Sequence, residues 1–238
     1  MEIWLDTASV QEIRKWSWFA DGVTTNPSLI SGESGGFRET IGNIIKSVKG
    51  CISVEVTSED CEGMVSQARE FSRWAPNIVV KIPMTEEGMK AVKVLCSMGI
   101  KTNVTLVFSL PQAMAAAGCG ATFVSPFAGR VDDHIRKKAG LSFEKSDYFP
   151  MEGIGHSDDG TVSGVDLVRR IITAYRNYGM KTRVVAASIR NRRQAAELVS
   201  AGADILTVPP EVLADMFRHE KTDEGLEIFR KDWSRVKK

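Results

Sequence analysis

Nothing in this chain is in excess. Four cysteines occur among 238 residues, Cys51, Cys61, Cys96 and Cys119, and none forms a Cys-x-x-Cys pair. The three histidines, His134, His156 and His219, stand at no metal-ligand spacing with them. A zinc site is therefore not expected, and the cysteines read as small buried apolar residues in a reducing compartment. A surplus of one charge is missing too. The 31 basic and 30 acidic residues leave a formal net charge of +1, so bulk electrostatics suggest neither a nucleic-acid nor a membrane partner. No apolar run approaches the roughly 20 residues of a membrane span. The opening Met-Glu-Ile-Trp-Leu-Asp carries an acid at its second position and no long apolar core, so a signal peptide is not expected there. A cytoplasmic protein is the expectation.

What is present is ordinary in amount, with 43% hydrophobic and 26% charged residues, and regular in order. Short apolar runs alternate with longer amphipathic stretches. Strands are expected at 3–5, 22–24, 52–56, 78–82, 102–108, 122–124, 184–187 and 205–207. Helical spacing follows at 8–19, 37–48, 61–74, 85–98 and 110–118, then at 164–177, 191–200, 210–218 and 222–236. Ser58 is read as the start of the helix near 61, and Thr85 as a cap. Strands alternating with helices imply a parallel sheet. Eight such units in a chain close to the roughly 250 residues of a (β/α)8 barrel imply that one barrel domain takes in residues 1–238. An open doubly wound sheet is the other candidate, but no Gly-x-Gly-x-x-Gly follows the first strand. One polar, glycine-containing stretch, 134–163, breaks the rhythm by separating the sixth strand from its helix.

Chemistry-bearing residues fall at strand ends: Asp6, Asn26, Glu55, Lys81, Thr105, Ser125 and Ser188. In a barrel these ends converge on the face that carries the active site. Lys81 stands out inside the apolar run Ile78-Val79-Val80-Lys81-Ile82-Pro83. Burial disfavours an ammonium, and a neutral amine can attack a carbonyl to form a Schiff base. The plainer alternative is a lysine that pairs with Glu55 and only fills the barrel. Asp6 and Glu55 offer acid–base chemistry, or else counter-ions for Lys81. Arg130, Ser188 and Arg190 suggest an anion site at a helix start. Arg192 and Arg193 read as solvated surface charge, not a nucleic-acid patch.

These residues sit in motifs that match a family. They are Leu5-Asp6-Thr7-Ala8, Gly22-Val23-Thr24-Thr25-Asn26-Pro27, Ser53-Val54-Glu55-Val56 and Val80-Lys81-Ile82-Pro83-Met84-Thr85. They continue with 102–109 (Thr-Asn-Val-Thr-Leu-Val-Phe-Ser), 124–130 (Val-Ser-Pro-Phe-Ala-Gly-Arg), Ala186-Ala187-Ser188-Ile189-Arg190 and 222–226 (Thr-Asp-Glu-Gly-Leu). Taken in order, the chain resembles the small transaldolases, relatives of the fructose 6-phosphate aldolases, apart from about 134–157. The resemblance implies a (β/α)8 barrel of the class I aldolase type. It implies Lys81 as the Schiff-base lysine and Asp6 as the acid–base group at the C4 hydroxyl. Glu55 and Thr105 would hold a proton-relaying water. Asn26, Asn103 and Ser125 would bind the dihydroxyacetone unit, and Arg130, Ser188 and Arg190 the phosphate. No metal or organic cofactor is implied. Sugar phosphates are the implied substrates, and ring-shaped homo-oligomers, pentamers or decamers, the implied assembly, with the C-terminal helix reaching a neighbour through Phe229 and Trp233.

Glu55 and Phe127 resemble the transaldolase-like members, which transfer dihydroxyacetone from a ketose phosphate to an aldose phosphate. Gln and Tyr stand there in the aldolase-like members, which release it. Three further readings remain open: release of free dihydroxyacetone, a modified sugar substrate, and a scaffold on a dead barrel. Small relatives pass from Asp133 almost directly to the counterpart of Asp159. The added residues here include His134, Arg136, Lys137, Lys138, Tyr148 and His156. That insert is expected to be a lid, an acceptor determinant or a subunit contact, or else a disordered surface loop.

Overall fold

The computed structural model describes residues 1–236. Its strands are β1 (Glu2–Asp6), β2 (Gly22–Thr24), β3 (Ile52–Glu55), β4 (Ile78–Pro83), β5 (Thr102–Val107), β6 (Phe123–Pro126), β7 (Arg183–Ala186) and β8 (Ile205–Val208). Each pairs in parallel with its sequence neighbour, and β1 closes on β8 through Glu2↔Ile205 to Leu5↔Val208. The (β/α)8 barrel expected from the alternation is the observed fold.

The helices are α1 (Val10–Trp16), α2 (Pro27–Ser31), α3 (Phe37–Ser47), α4 (Cys61–Phe71), α5 (Glu86–Ser97) and α6 (Leu110–Gly118). The second half adds α7 (Ala128–Lys138), α8 (Gly164–Asn177), α9 (Arg192–Ala201), α10 (Pro210–Met216) and α11 (Glu220–Arg235). Thr85 caps α5 as expected, its side chain accepting from the Gly88 amide. Ser58 does not start α4; Asp60 caps it by accepting from the Gly63 amide. No helix among the described residues is long and apolar enough to cross a membrane.

The largest correction concerns 134–163. The sixth strand is not separated from its helix, because α7 begins two residues after β6. Val131, Asp132, Ile135 and Arg136 are its buried face. A buried aspartate and a buried arginine disguise the helical period. The true irregular stretch is 139–163, and it is anchored. Phe149 is buried there, and Met151 and Ile154 pack against the main core. The cysteines also differ from expectation: Cys96 is exposed and the other three are only partly buried.

Strand side chains alternate between two cores. Outward residues such as Leu5, Val54, Val80 and Leu206 meet the helices. Inward, Trp4, Val79, Phe123, Val185 and Ile205 form a separate apolar cluster that plugs the barrel floor. Trp4 meets Phe123 edge to face at 5.2 Å. Removing so large a buried side chain costs about 3–5 kcal/mol. The next inward residue on these strands is polar on four of the five: Asp6, Lys81, Ser125 and Thr207. One residue step along the strand period thus separates the packed floor from a polar chamber.

Candidate active site

The polar chamber opens at the carboxyl ends of the strands, where the (β/α)8 architecture places its reactive groups. Its cavity is about 430 Å3, within the range of small-molecule sites. Asp6, Asn26, Lys81 and Ser125 line its inner part, with Phe127, Arg130, Ser188 and Arg190 towards the rim. Eight of the eleven residues singled out in the sequence therefore share one cavity.

Lys81 is only 5% exposed. Its Nζ donates to the Thr25 carbonyl at 3.1 Å and lies 3.0 Å from Oε2 of Glu55. Ladder register delivers this pair, because Glu55 on β3 is directly opposite Lys81 on β4, and Asn103 on β5 is opposite Lys81 in turn. Burial is not the only means of freeing the amine, because the Glu55 carboxyl stands within reach to take or return its proton. The pairing alternative is thus real in geometry, yet Lys81 also lines a cavity that a packing pair would not need.

Asp6 accepts a hydrogen bond from Thr24 Oγ1 at 2.8 Å. Burial raises its carboxyl above the usual aspartate range, and the Lys81 charge and the Thr24 hydroxyl pull against that rise. Glu211 and Glu55 lie near enough to push it up further. Asn103 and Ser125 are tied together below the rim. Ser125 Oγ donates to Asn103 Oδ1 at 2.8 Å, and Asn103 Nδ2 donates to Ser53 Oγ at 3.1 Å. Thr105 Oγ1 is buried and has no hydrogen-bond partner among the described residues. Asn26 caps α2 through its Oδ1, which accepts from the Leu29 amide at 3.0 Å; its amide nitrogen stays available.

The rim is built differently. Ser188 follows β7 with φ of 62°, a left-handed conformation rare for serine and usually found where function demands it. The Gly129 amide donates to its carbonyl at 3.1 Å. A Cβ at Gly129 would lie 2.2 Å from that carbonyl oxygen, so only glycine lets α7 approach. This contact joins Arg130 to Ser188 and Arg190. Arg190 pairs with Asp133 at 2.9 Å, and the Arg130 guanidinium sits 5.0 Å from the centre of the Phe127 ring. Arg192 and Arg193 are exposed as expected, but Arg193 stacks on Tyr148 of the 139–163 segment at 3.6 Å.

The fold agrees with sequence comparison. A family model described as Transaldolase/Fructose-6-phosphate aldolase matches residues 3–238. The chain belongs to the transaldolase/fructose-6-phosphate aldolase family. It is similar to a probable transaldolase of Carboxydothermus hydrogenoformans, 48% identical over 240 residues and covering 100% of both chains. A probable transaldolase of Kosmotoga olearia is 47% identical, covering 100% of this chain and 98% of the relative. Solved structures echo the fold alone. A thiamine phosphate pyrophosphorylase from Pyrococcus furiosus aligns with TM-score 0.53 at 16% identity, over 87% of this chain and 85% of its own. An inosine 5'-monophosphate dehydrogenase from Legionella pneumophila gives 0.57 at 15%, over 89% and 58%. The protein is an enzyme of the transaldolase family.

Thr24, Thr207, Glu211 and Lys145 are among the cavity residues that the sequence reading did not single out. Thr24 ends β2 and Thr207 is one residue short of the end of β8, so the strand-end rule that found Asp6 would have come close to both. Glu211 follows a proline pair at the start of α10, and Lys145 lies in the irregular segment. Neither has a local pattern to betray it.

Proposed function

We propose that the enzyme transfers a dihydroxyacetone unit from a ketose phosphate to an aldose phosphate through a Schiff base on Lys81. Sedoheptulose 7-phosphate with glyceraldehyde 3-phosphate, giving erythrose 4-phosphate and fructose 6-phosphate, is the reaction this reading names. The observation that carries it is the buried Lys81, which lines a cavity shared with Asp6 and pairs with Glu55 behind it. Names of the relatives, probable transaldolases, point the same way.

The steps follow from the positions. Glu55 accepts the Lys81 proton, freeing the Nζ lone pair to attack the ketose C2 carbonyl. Loss of water gives an iminium, which serves as the electron sink. Asp6 takes the proton of the C4 hydroxyl; the C3–C4 bond breaks, its electrons enter the iminium, and an aldose leaves. The enamine on Lys81 then attacks the acceptor aldehyde and the steps run backwards. A carboxyl held above its ordinary range by burial is a stronger base for that proton than an ordinary aspartate and can return it afterwards. The unpartnered Thr105 hydroxyl is able to hold a water between Glu55 and the bound carbon chain. Asn26, Asn103 and Ser125 hold the dihydroxyacetone hydroxyls, and Arg130, Ser188 and Arg190 the phosphate.

Transfer is favoured over release by Phe127. It packs edge-on against Phe108 at 5.8 Å and offers no hydroxyl to guide water onto the loaded lysine. The test supplies fructose 6-phosphate with and without erythrose 4-phosphate. Product formation is expected only with the acceptor; equal cleavage without it, releasing dihydroxyacetone, overturns transfer in favour of the aldolase reaction. The helix α11 buries none of its residues, and Phe229 and Trp233 are exposed on it, which suits the homo-oligomer that the resemblance implies.

A further inference from the structure

The segment 139–163 docks onto the phosphate end of the cavity. The Arg136 guanidinium donates to the carbonyls of Asp147 and Tyr148 at 3.0 and 2.8 Å. It lies between the rings of Phe143 and Phe149, about 5 Å from each. Asn191, next to Arg190, donates to the Ser146 carbonyl at 3.1 Å. The Tyr148 hydroxyl donates to Glu197 at 2.6 Å. Residues on the C-terminal side of Lys145 are thus tied to α7 and to the start of α9, the two elements that present Arg130 and Arg190. Lys145 itself lines the catalytic cavity, and it also lines an adjoining outer cavity of about 640 Å3 that shares Arg130 and Arg190.

Charge matching gives this placement a purpose. A phosphate monoester near pH 7 carries about −1.5 to −2. Arg190 is largely neutralised by Asp133, which leaves Arg130 as the one uncompensated arginine at the rim. Lys145 makes no ion pair among the described residues and stands at the same edge. We propose that Lys145 is a substrate-phosphate ligand, which with Arg130 and Arg190 grips the terminal phosphate of the sugar, and that the 139–163 segment exists to carry it there. This rests on the reading of the cavity as a sugar-phosphate site. Lysine suits the task as a compact, rotatable donor reaching in from a separately anchored segment.

The test separates phosphate binding from lysine chemistry. Calorimetry with inorganic phosphate should show Lys145→Ala binding about tenfold more weakly than the parent, about 1.4 kcal/mol, and Lys145→Arg close to it. Rising ionic strength should narrow the difference. The KM for fructose 6-phosphate should rise by a similar factor with kcat nearly unchanged. Borohydride trapping of unphosphorylated dihydroxyacetone should be equal in parent and Lys145→Ala. Equal phosphate affinity in parent and Lys145→Ala, or no phosphate binding by the parent, overturns the proposal. So does an equal loss of dihydroxyacetone trapping in Lys145→Ala, which would mark a general disturbance of the site. A parent that binds phosphate but traps no carbonyl compound would instead overturn the Schiff-base reading and leave Lys145 to be judged on its phosphate affinity.

Discussion

The inner and outer ends of the active-site cavity are made by different means. At the inner end, Asp6 and Lys81 stand on strands, and parallel register sets Glu55 opposite Lys81. At the outer end, Arg130 and Arg190 sit at or just before helix starts, Ser188 on a left-handed turn, and Lys145 on an irregular segment. Lys81 is 5% exposed, whereas Arg130 is open to solvent. In the proposed mechanism the barrel wall positions the bond-making groups, Lys81 within 3.0 Å of Glu55, and the loops hold the substrate. Damage to the inner end should therefore fall on kcat, and damage to the outer end on KM.

The sharpest break of that contrast is Lys81→Met. Turnover should fall by about 10^3-fold or more, as for loss of a covalent nucleophile, with the circular dichroism of the fold retained. Asp6→Asn comes next, with kcat expected to drop by about 10^2- to 10^4-fold. In the parent, activity should fail on acidification at a pH above the ordinary aspartate range, because burial raises the Asp6 carboxyl and the base must be ionised. A pH–rate profile of kcat reads this directly. Arg190→Ala should act at the other end. Loss of a charge-assisted contact worth about 1.5–3 kcal/mol should raise the KM for fructose 6-phosphate by about ten- to a hundredfold and spare kcat. A kcat loss as large as that of Asp6→Asn would erase the distinction between the two ends.

The smallest expected effect tests the scaffold behind the rim. Asp132 accepts from the Gly164 amide at 2.7 Å and from Gln194 at 2.7 Å. Burial pushes its carboxyl up to about 7 from an ordinary 3.8, against the pull of Gly164 and Arg136. The folded protein therefore holds a proton that the unfolded chain has released between those values. Asp132 thus costs stability as pH rises from about 4 to 7, in full above the higher value. Asp132→Asn should lack that cost. Thermal unfolding of the variant should show a smaller fall in Tm between pH 5 and pH 8 than the parent, by a few degrees. An unchanged difference would mean that Asp132 is not ionising across that window.

How much of this was legible in the sequence follows the same division. Lys81 announced itself because an amine interrupts an apolar run of strand residues, and Asp6 and Glu55 because acids end such runs. Period-two strands expose their polar members, so the barrel and the places of Asp6, Glu55 and Lys81 on its strands could be read from pattern alone. Arg136 did the opposite. It is a charge buried against Phe143 and Phe149, and it made α7 look like part of a polar loop. Asn26 was read as a strand end, yet it also caps a short helix that no apolar period marks. Glu211 and Lys145 enter the cavity only through tertiary folding, and Lys145 through contacts made by its neighbours in the chain.

The central claim is that Lys81 bonds to the substrate carbonyl carbon. Incubation with fructose 6-phosphate followed by borohydride reduction tests it most directly. The intact mass should rise by one reduced dihydroxyacetone unit, and peptide mapping should place that unit on Lys81 and nowhere else. An unmodified protein that still turns over sugar phosphates, or an adduct carried by another lysine, would contradict the account.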